Sequence, residues 1–289
     1  MSADRPGPST RARVWTLEGD SEVRRRDSLV TEEPLEIRVS AGGRSQVVAV
    51  TMRTPGADFE LATGFLHAEG LLPTGRPRQV SYCADVERPD QRFNVVTVEV
   101  DGPAPAAPVR TGIVSSACGV CGSASLDALR ERGLVPVGPG PAVPVEVLYG
   151  LPEALRAAQG VFASTGGLHA AGLFGPAGDL LAAREDVGRH NAVDKLVGWA
   201  LLGGRLPLAG SVLMVSGRAG YEIVQKAVTA GIPVVASVSA PSSLAVAAAE
   251  EFGVTLVGFL RGRRCNVYAG RERLLLPAAA GVPAPGAAG

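Results

Sequence analysis

The chain has 289 residues, enough for about two domains of ordinary size. Its composition, 46% hydrophobic and 19% charged, excludes a disordered chain. Basic and acidic residues number 28 each, and the resulting zero net charge argues against wholesale electrostatic binding to nucleic acid or anionic membrane. Lys195 and Lys226 are the only lysines; every other basic residue is arginine.

The first residues, MSADRPGPSTRARVW, lack the apolar core of a secretory signal. No uninterrupted apolar run is long enough to cross a bilayer. Both observations predict a cytoplasmic location. In that reducing compartment Cys83, Cys118, Cys121 and Cys265 are not expected to form structural disulfides. Metal binding, sulfur or redox chemistry, and core packing remain.

Residues 1–12 read as a flexible terminus. Residues 35–52 read as two strands around a Gly-Gly turn. A helix follows over 57–72, with Leu61, Phe65, Leu66 and Leu72 on one face. QVSYCADV (79–86) and FNVVTVEVD (93–101) read as strands. After a Pro/Ala run at 101–108, Ser123 or Ser125 caps a short helix with Leu126 and Leu129 on one side, ended by Gly133. A Pro/Gly run places a boundary near 134–144. The expected organisation is an N-terminal α+β domain over 13–134, an α/β domain over 144–276 and a flexible tail over 277–289.

The second half alternates regularly. PEALRAAQGVFA (152–163) is a helix with Pro152 in its first turn. GLHAAGLF and LLAARED are strands. NAVDKLVGWALL (191–202) is an amphipathic helix with Asn191 and Asp194 at capping-box spacing, ended by Gly203 and Gly204. Strands SVLMV, IPVVASVS and TLVGFL then alternate with helices YEIVQKAVTA and LAVAAAEEF. This pattern predicts a parallel or mixed sheet covered on both faces. Ligands of such sheets sit at the carboxyl ends of the strands, where the polar segments 184–190, 216–220, 239–243 and 261–264 fall.

Cys118-Gly-Val-Cys121 is the sharpest chemical feature. Such a pair can share a metal, cycle through a disulfide or cooperate in sulfur transfer. A helix starting just after it favours thiolate over thiol. A structural zinc needs two further ligands, and Cys83, Cys265, His67, His169 and His190 are scattered. His169 follows a flexible Gly pair, and Asp186–Asn191 lies at a strand-to-helix junction where Arg189 suits a phosphate. Capping and polar packing explain the same residues. Ser216–Gly220, with Arg218, resembles a phosphate-cradling turn but matches neither the P-loop nor the dinucleotide pattern. Arg261-Gly-Arg263-Arg264 is a compact cationic loop suited to a pyrophosphate or to solvent alone. Cys83 and Cys265 read as small core residues.

Taken together, LEIRV (35–39), MRTPGADFELATGFLHAEGLL (52–72), SSACGVCG (115–122), STGGLHAAGLF (164–174), REDVGRHNAVDKLVG (184–198) and the long run from Ser216 to Tyr268 resemble the formate dehydrogenase accessory sulfurtransferase family, FdhD. The resemblance spans about 30–270. It implies a cytidine-deaminase-like three-layer αβα main domain with a smaller strand-rich α+β N-terminal domain. It implies a homodimer that accepts persulfide sulfur from a cysteine desulfurase and passes it to the molybdenum (or tungsten) cofactor, bis(molybdopterin guanine dinucleotide), before insertion into formate dehydrogenase. GDP then serves as a mimic of the cofactor's guanine-nucleotide arms. The family's persulfide carrier maps to Cys118, with Cys121 auxiliary. The cofactor-binding loop maps to Phe259, Leu260, Arg261, Gly262, Arg263 and Arg264, with Arg218 and His169 as further contacts. Asp186–His190 lines the pocket or moves protons in this picture.

The deaminase likeness does not carry the hydrolytic chemistry. A zinc deaminase needs H-x-E before P-C-x-x-C. Here Ala170-Ala171 follows His169 and the cysteine pair precedes it, so no catalytic zinc is expected. A dithiol oxidoreductase and a cofactor-binding chaperone without covalent sulfur transfer are the alternatives.

Overall fold

Alternate burial builds the N-terminal sheet. In β3 (Glu33–Ala41) Leu35, Ile37, Val39 and Ala41 point inward while Glu36 and Arg38 do not, the two-residue period of a half-buried strand. The computed structural model describes residues 5–72, 75–83, 91–102 and 122–277. Within them β3 joins β4 (Arg44–Arg53), β5 (Gln79–Tyr82) and β6 (Val95–Glu99) in the order β4-β3-β6-β5. Gly42 and Gly43 make the β3–β4 turn at φ 56° and 78°. Helix α1 (Asp58–Ala68) covers one face through Leu61, Ala62, Phe65 and Leu66.

Ahead of this sheet, β1 (Ser9–Glu18) and β2 (Ser21–Val30) form an antiparallel ribbon of their own. The strand therefore begins inside the stretch expected to be flexible. Its arginine-rich composition hides a two-residue alternation at Ala12, Val14 and Thr16.

The second half begins with the short β7 (Val143–Pro144), which pairs with the closing β14 (Leu274–Leu275). Between them β8 (His169–Phe174), β9 (Leu180–Asp186), β10 (Val212–Val215), β11 (Val234–Ser237), β12 (Thr255–Arg261) and β13 (Arg264–Ala269) form a six-stranded mixed sheet in the order β13-β12-β11-β10-β8-β9. β10, β11 and β12 run parallel; β8 runs antiparallel to both β9 and β10. One face is covered by α5 (Arg189–Leu202), α6 (Tyr221–Ala230) and α7 (Ser243–Glu251). The other carries α3 (Val145–Ala157), whose Leu148, Leu151 and Leu155 pack on Phe174, Met214 and Ala236.

Three details depart from the sequence reading. Helix α2 (Gly122–Glu131) begins before Ser123, so both serines lie inside it. Its Leu129 is buried among the α5–α7 side chains, and Arg130 pairs with Glu251 of α7 at 2.5 Å. The helix thus packs on the α5–α7 side of the second half. Helix α3 starts at Val145, leaving Pro152 well inside it. The three buried leucines at helical spacing outweigh the bond that Pro152 cannot donate. A separate short helix, α4 (Gly160–Thr165), follows.

Helix α5 is buried on nearly every side, not amphipathic, because α1 packs across its outer face. Two glycines allow that crossing. A Cβ on Gly198 would lie 1.8 Å from the Glu60 carbonyl oxygen, and one on Gly64 would lie 1.9 Å from that of Asp194. Backbone meets backbone at this point. Gly198→Ala must push the helices apart, and its expected cost is about 3 kcal/mol. Urea unfolding of the purified variant measures it.

Candidate functional site

Because β9 runs parallel to β10–β12, the carboxyl ends of all four strands lie at one edge of the sheet, joined by the amino end of antiparallel β8. His169 pairs with Asp186 across β8 and β9. Ala170 N–H donates to Ser216 Oγ at 2.9 Å, and Ser237 Oγ donates to the Gly217 carbonyl at 2.8 Å. Phe259 N–H donates to the Ser239 carbonyl at 3.1 Å, which carries the chain of contacts to β12. The edge is therefore continuous from Asp186 to Phe259.

The last residues of β9 anchor it. Arg184 pairs with Glu60 of α1 at 2.5 Å. Glu185 accepts the first backbone N–H groups of α4, from Val161 at 3.0 Å and Phe162 at 2.7 Å. Asp186, fully buried, lies 2.7 Å from Lys195 Nζ and accepts from Gly188 N–H at 2.8 Å, Asn191 Nδ2 at 2.9 Å and Thr54 N–H at 3.1 Å. Lys195 donates further to the carbonyls of Thr54 and Glu185. Every polar position of this buried pair is filled, the condition under which such a pair is tolerated. Asn191 is accordingly an internal donor to Asp186 and Met52, not a cap; Gly188 holds the cap position.

Cations gather beside this anchor. Arg189 opens α5, and its Nε is buried with no hydrogen-bond partner. Burial, and then the nearby Arg218, weaken its hold on its proton. Gly217 lets His169 come close: a Cβ there would sit 3.2 Å from Nδ1. His190 Nε2 lies 3.1 Å from Glu222 at the start of α6.

A cavity of about 490 Å³ opens at the same edge on the α3 face. His169, Ser216 and Val238 line its sheet side; Arg156, Gln159 and Phe162 line its helical side. The Arg156 guanidinium stacks 3.9 Å from the centre of the Phe162 ring. Gln159 is only 5% exposed, yet its Nε2 has no partner. A buried amide donor left unmet costs about 1–3 kcal/mol. Sequence reasoning missed Arg156, Gln159 and Phe162 because helix-end residues carry no motif.

Of the residues singled out in the sequence, His169 and Arg218 lie at this edge. Phe259 reaches it through the Ser239 contact, half exposed and held in the left-handed region at φ 52°, a conformation costly for a non-glycine residue. Leu260 is fully buried in the α3-face core, so it anchors the segment from within. Arg261 and Arg264 pair across a tight β12–β13 turn at Gly262, which replaces the expected loop. Arg263 turns back to α3, where it pairs with Glu146 at 2.5 Å and lies over Tyr149. Cys265 packs against the α3-face core, and burial raises its thiol. Cys83 is half-buried with Arg38 Nη1 at 3.9 Å. Cys118 and Cys121 lie outside the described residues; α2 begins at Gly122, the next residue in sequence. Among the described residues no three His, Cys, Asp or Glu side chains gather in a way that holds a metal, and no helix is long and apolar enough to cross a membrane.

The FdhD/NarQ family model matches residues 30–275. The chain belongs to that family. Curated relatives agree. A sulfur carrier protein FdhD from Streptomyces coelicolor is 52% identical, over 94% of this chain and 97% of its own. Another of that name, from Sulfurisphaera tokodaii, is 45% identical over 92% and 98%. A solved structure from Desulfotalea psychrophila, described as that of a formate dehydrogenase accessory protein, superposes with a TM-score of 0.71 at 25% identity, covering 92% of this chain and 99% of that one.

The site also predicts a pH response. Burial lowers the proton affinity of all three histidines, His67, His169 and His190. His190 falls to about 3, through burial first and then Arg189 and Lys226. Unfolding returns each imidazole to about 6.5. Below that pH the unfolded chain binds more protons, so these groups subtract stability as pH falls from about 6.5 toward about 3. Asp194, raised to about 6 by burial despite Lys226 beside it, works in the opposite sense over the upper part of that window. One carboxylate offsets only part of three imidazoles. Urea titrations are expected to show lower stability at pH 5 than at pH 7, with the His190 imidazole NMR signal of the folded protein still neutral at pH 6.

Proposed function

We propose that this chain is a sulfur carrier for formate dehydrogenase. It accepts persulfide sulfur from a cysteine desulfurase on Cys118 and delivers it to the molybdenum cofactor, bis(molybdopterin guanine dinucleotide), which binds at the sheet edge. The observation that carries the cofactor reading is the unmatched polar chemistry of that edge. Gln159, whose buried Nε2 has no partner, is one of the residues lining the cavity, and at the same sheet edge Arg189, its Nε also unpartnered, lies near Arg218. The relatives' names support the sulfur reading. The donor is the persulfide-bearing desulfurase, the acceptor is the cofactor, and the cargo is sulfane sulfur. In this reading the protein works in the cytoplasm as a homodimer, and its main domain follows the cytidine-deaminase layering without the deaminase chemistry.

Sulfur acceptance balances without an outside redox agent. The Cys118 thiolate attacks the terminal sulfur of the desulfurase Cys–S–SH. A new S–S bond forms, the old one breaks, and the desulfurase leaves as a thiolate. The terminal proton goes to solvent or to a base. The helix beginning at Gly122 favours the attacking thiolate. At the edge, the guanine ring occupies the cavity, stacking near Phe162 and Arg156 and accepting from Gln159. The phosphates are drawn to Arg218 and Arg189, with Arg261 and Arg264 adding positive charge from the β12–β13 turn. His169, neutral near pH 7 through its burial, lines the cavity as a hydrogen-bonding group.

Two measurements test this reading. After incubation with a cysteine desulfurase and cysteine, peptide mass spectrometry is expected to find one added sulfur on Cys118. The addition disappears in Cys118→Ser and persists in Cys121→Ser. Equal loss in both variants, with a Cys118–Cys121 disulfide, favours a dithiol oxidoreductase. Calorimetry with GDP is expected to show roughly tenfold weaker binding for Arg218→Ala and for Gln159→Leu, each losing about one charge-assisted or buried hydrogen bond. Unchanged affinity in both removes the edge as the nucleotide site.

A further inference from the structure

Strand β11 closes on a polar residue where its neighbours are apolar. Val234, Val235 and Ala236 are fully buried, and Ser237 after them is buried just as completely. A hydroxyl taken out of water costs free energy unless it is hydrogen-bonded. Ser237 meets that condition. Its Oγ lies 2.8 Å from the Gly217 carbonyl oxygen and 2.9 Å from that of Ser239, and it accepts the Ser239 N–H at 3.0 Å. One side chain thus holds the loop after β10 and the loop after β11 together, from beneath the surface.

Each loop in turn holds part of the ligand edge. Gly217 lies against His169 and Arg189: a Cβ on it would stand 3.2 Å from Nδ1 of the first and 3.7 Å from Cδ of the second. Arg218, the next residue, is exposed. On the other side, the Ser239 carbonyl also accepts the Phe259 N–H at 3.1 Å, and Phe259 is the residue held at φ 52°. A Cβ on Gly258 would meet Pro241 at 2.9 Å and the Ser239 oxygen at 3.1 Å, so β12 lies hard against this loop. The loops also run side by side. Ala219 bridges to Pro241, and Ser242 N–H donates to the Ala219 carbonyl at 3.2 Å, while the Ser242 hydroxyl caps α7. Arg218 and Phe259 are distant in sequence, yet they are joined through the Ser237 hydroxyl.

We propose that Ser237 is a positioning residue whose hydroxyl fixes the spacing between Arg218 and Phe259, and with it the width of the edge that receives the nucleotide. It touches no ligand itself. An alanine in its place would take this partner from the Gly217 carbonyl and the Ser239 N–H, and the two loops would lose their common anchor. Held by it, they keep the arrangement that a binding site must have before its ligand arrives. The inference rests on the nucleotide reading of the edge and adds to it the residue that holds the edge together.

Calorimetry with GDP and hydrogen exchange, both on the full chain, test it. Ser237→Ala removes the hydroxyl, Ser237→Cys keeps its shape with a weak donor, and Ser237→Thr keeps the hydroxyl. Thr255→Val is the comparison: it removes an equally buried hydroxyl at the opposite end of the sheet, where Thr255 donates to the Gly270 carbonyl at 2.7 Å. Ser237→Ala is expected to bind GDP about tenfold more weakly, with Ser237→Cys between it and the wild type. Ser237→Thr is expected to restore affinity, and Thr255→Val to lose stability without losing affinity. In Ser237→Ala the amides of 217–220, 239–242 and Phe259 are expected to exchange faster together, while those of β9 do not. Should Ser237→Ala fail to fold, the Ser237→Cys and Ser237→Thr pair carries the comparison. Unchanged GDP affinity in Ser237→Ala and Ser237→Cys, or an equal loss in Thr255→Val, overturns the proposal. A wild type that binds no GDP overturns the nucleotide reading, and exchange then decides on Ser237 alone. Faster exchange in both loops and at Phe259 upholds its role; faster exchange confined to residues 237–239 overturns it.

Discussion

The structure turns on one buried carboxylate. Asp186 ends β9 with no exposure to solvent, and it is surrounded by donors from three places in the chain: Thr54 before α1, Gly188 at the start of α5, and Asn191 and Lys195 within α5. A charge so buried is tolerated only when it is fully paired. Meeting that condition forces the N-terminal domain, the outermost strand and the central helix into a single arrangement. The glycine contact between α1 and α5 then sets how closely the two domains approach. The edge that carries His169, Arg189 and Arg218 inherits its geometry from this point.

The neighbours of Asp186 extend the same logic. Arg184 reaches across to α1, and Glu185 caps α4, which supplies Phe162 to the cavity. Three consecutive side chains thus tie one strand end to three elements, and the cavity lies between the elements they hold. The other lysine repeats the device: Lys226 of α6 meets Asp194 of α5 at 2.7 Å, with both side chains buried. Both lysines of the chain are therefore internal, while the surface cations are arginines.

The fold was legible where periodicity was strong. The alternation in 35–41 and the strand–helix repetition after residue 167 both appear in the structure as read. The convergence of the polar segments at one sheet edge was legible too, because parallel strands with polar loops after them fix where such loops meet. What was hidden depends on partners distant in sequence. Asn191 and Asp194 have the spacing of a capping box, but the carboxylate and lysine that engage them come from β9 and α6. Helix α5 looked amphipathic because nothing local reveals that α1 will cover its outer face. Gln159 carries no motif at all; only its place in the wall of a cavity identifies it. The scarcity of lysine was visible in the composition, but composition does not say that both lysines are buried beside carboxylates.

The central claim is that the Asp186–Lys195 pair organises the nucleotide edge as well as the fold. A double-mutant cycle with Asp186→Asn and Lys195→Met, followed by urea unfolding and by GDP calorimetry, tests it most directly. Each single change strands a buried partner and is expected to cost about 3–5 kcal/mol of stability. The double change is expected to cost well under the sum of the two, and both single variants are expected to bind GDP more weakly while still folded. Additive losses of stability together with unchanged GDP affinity would contradict the account.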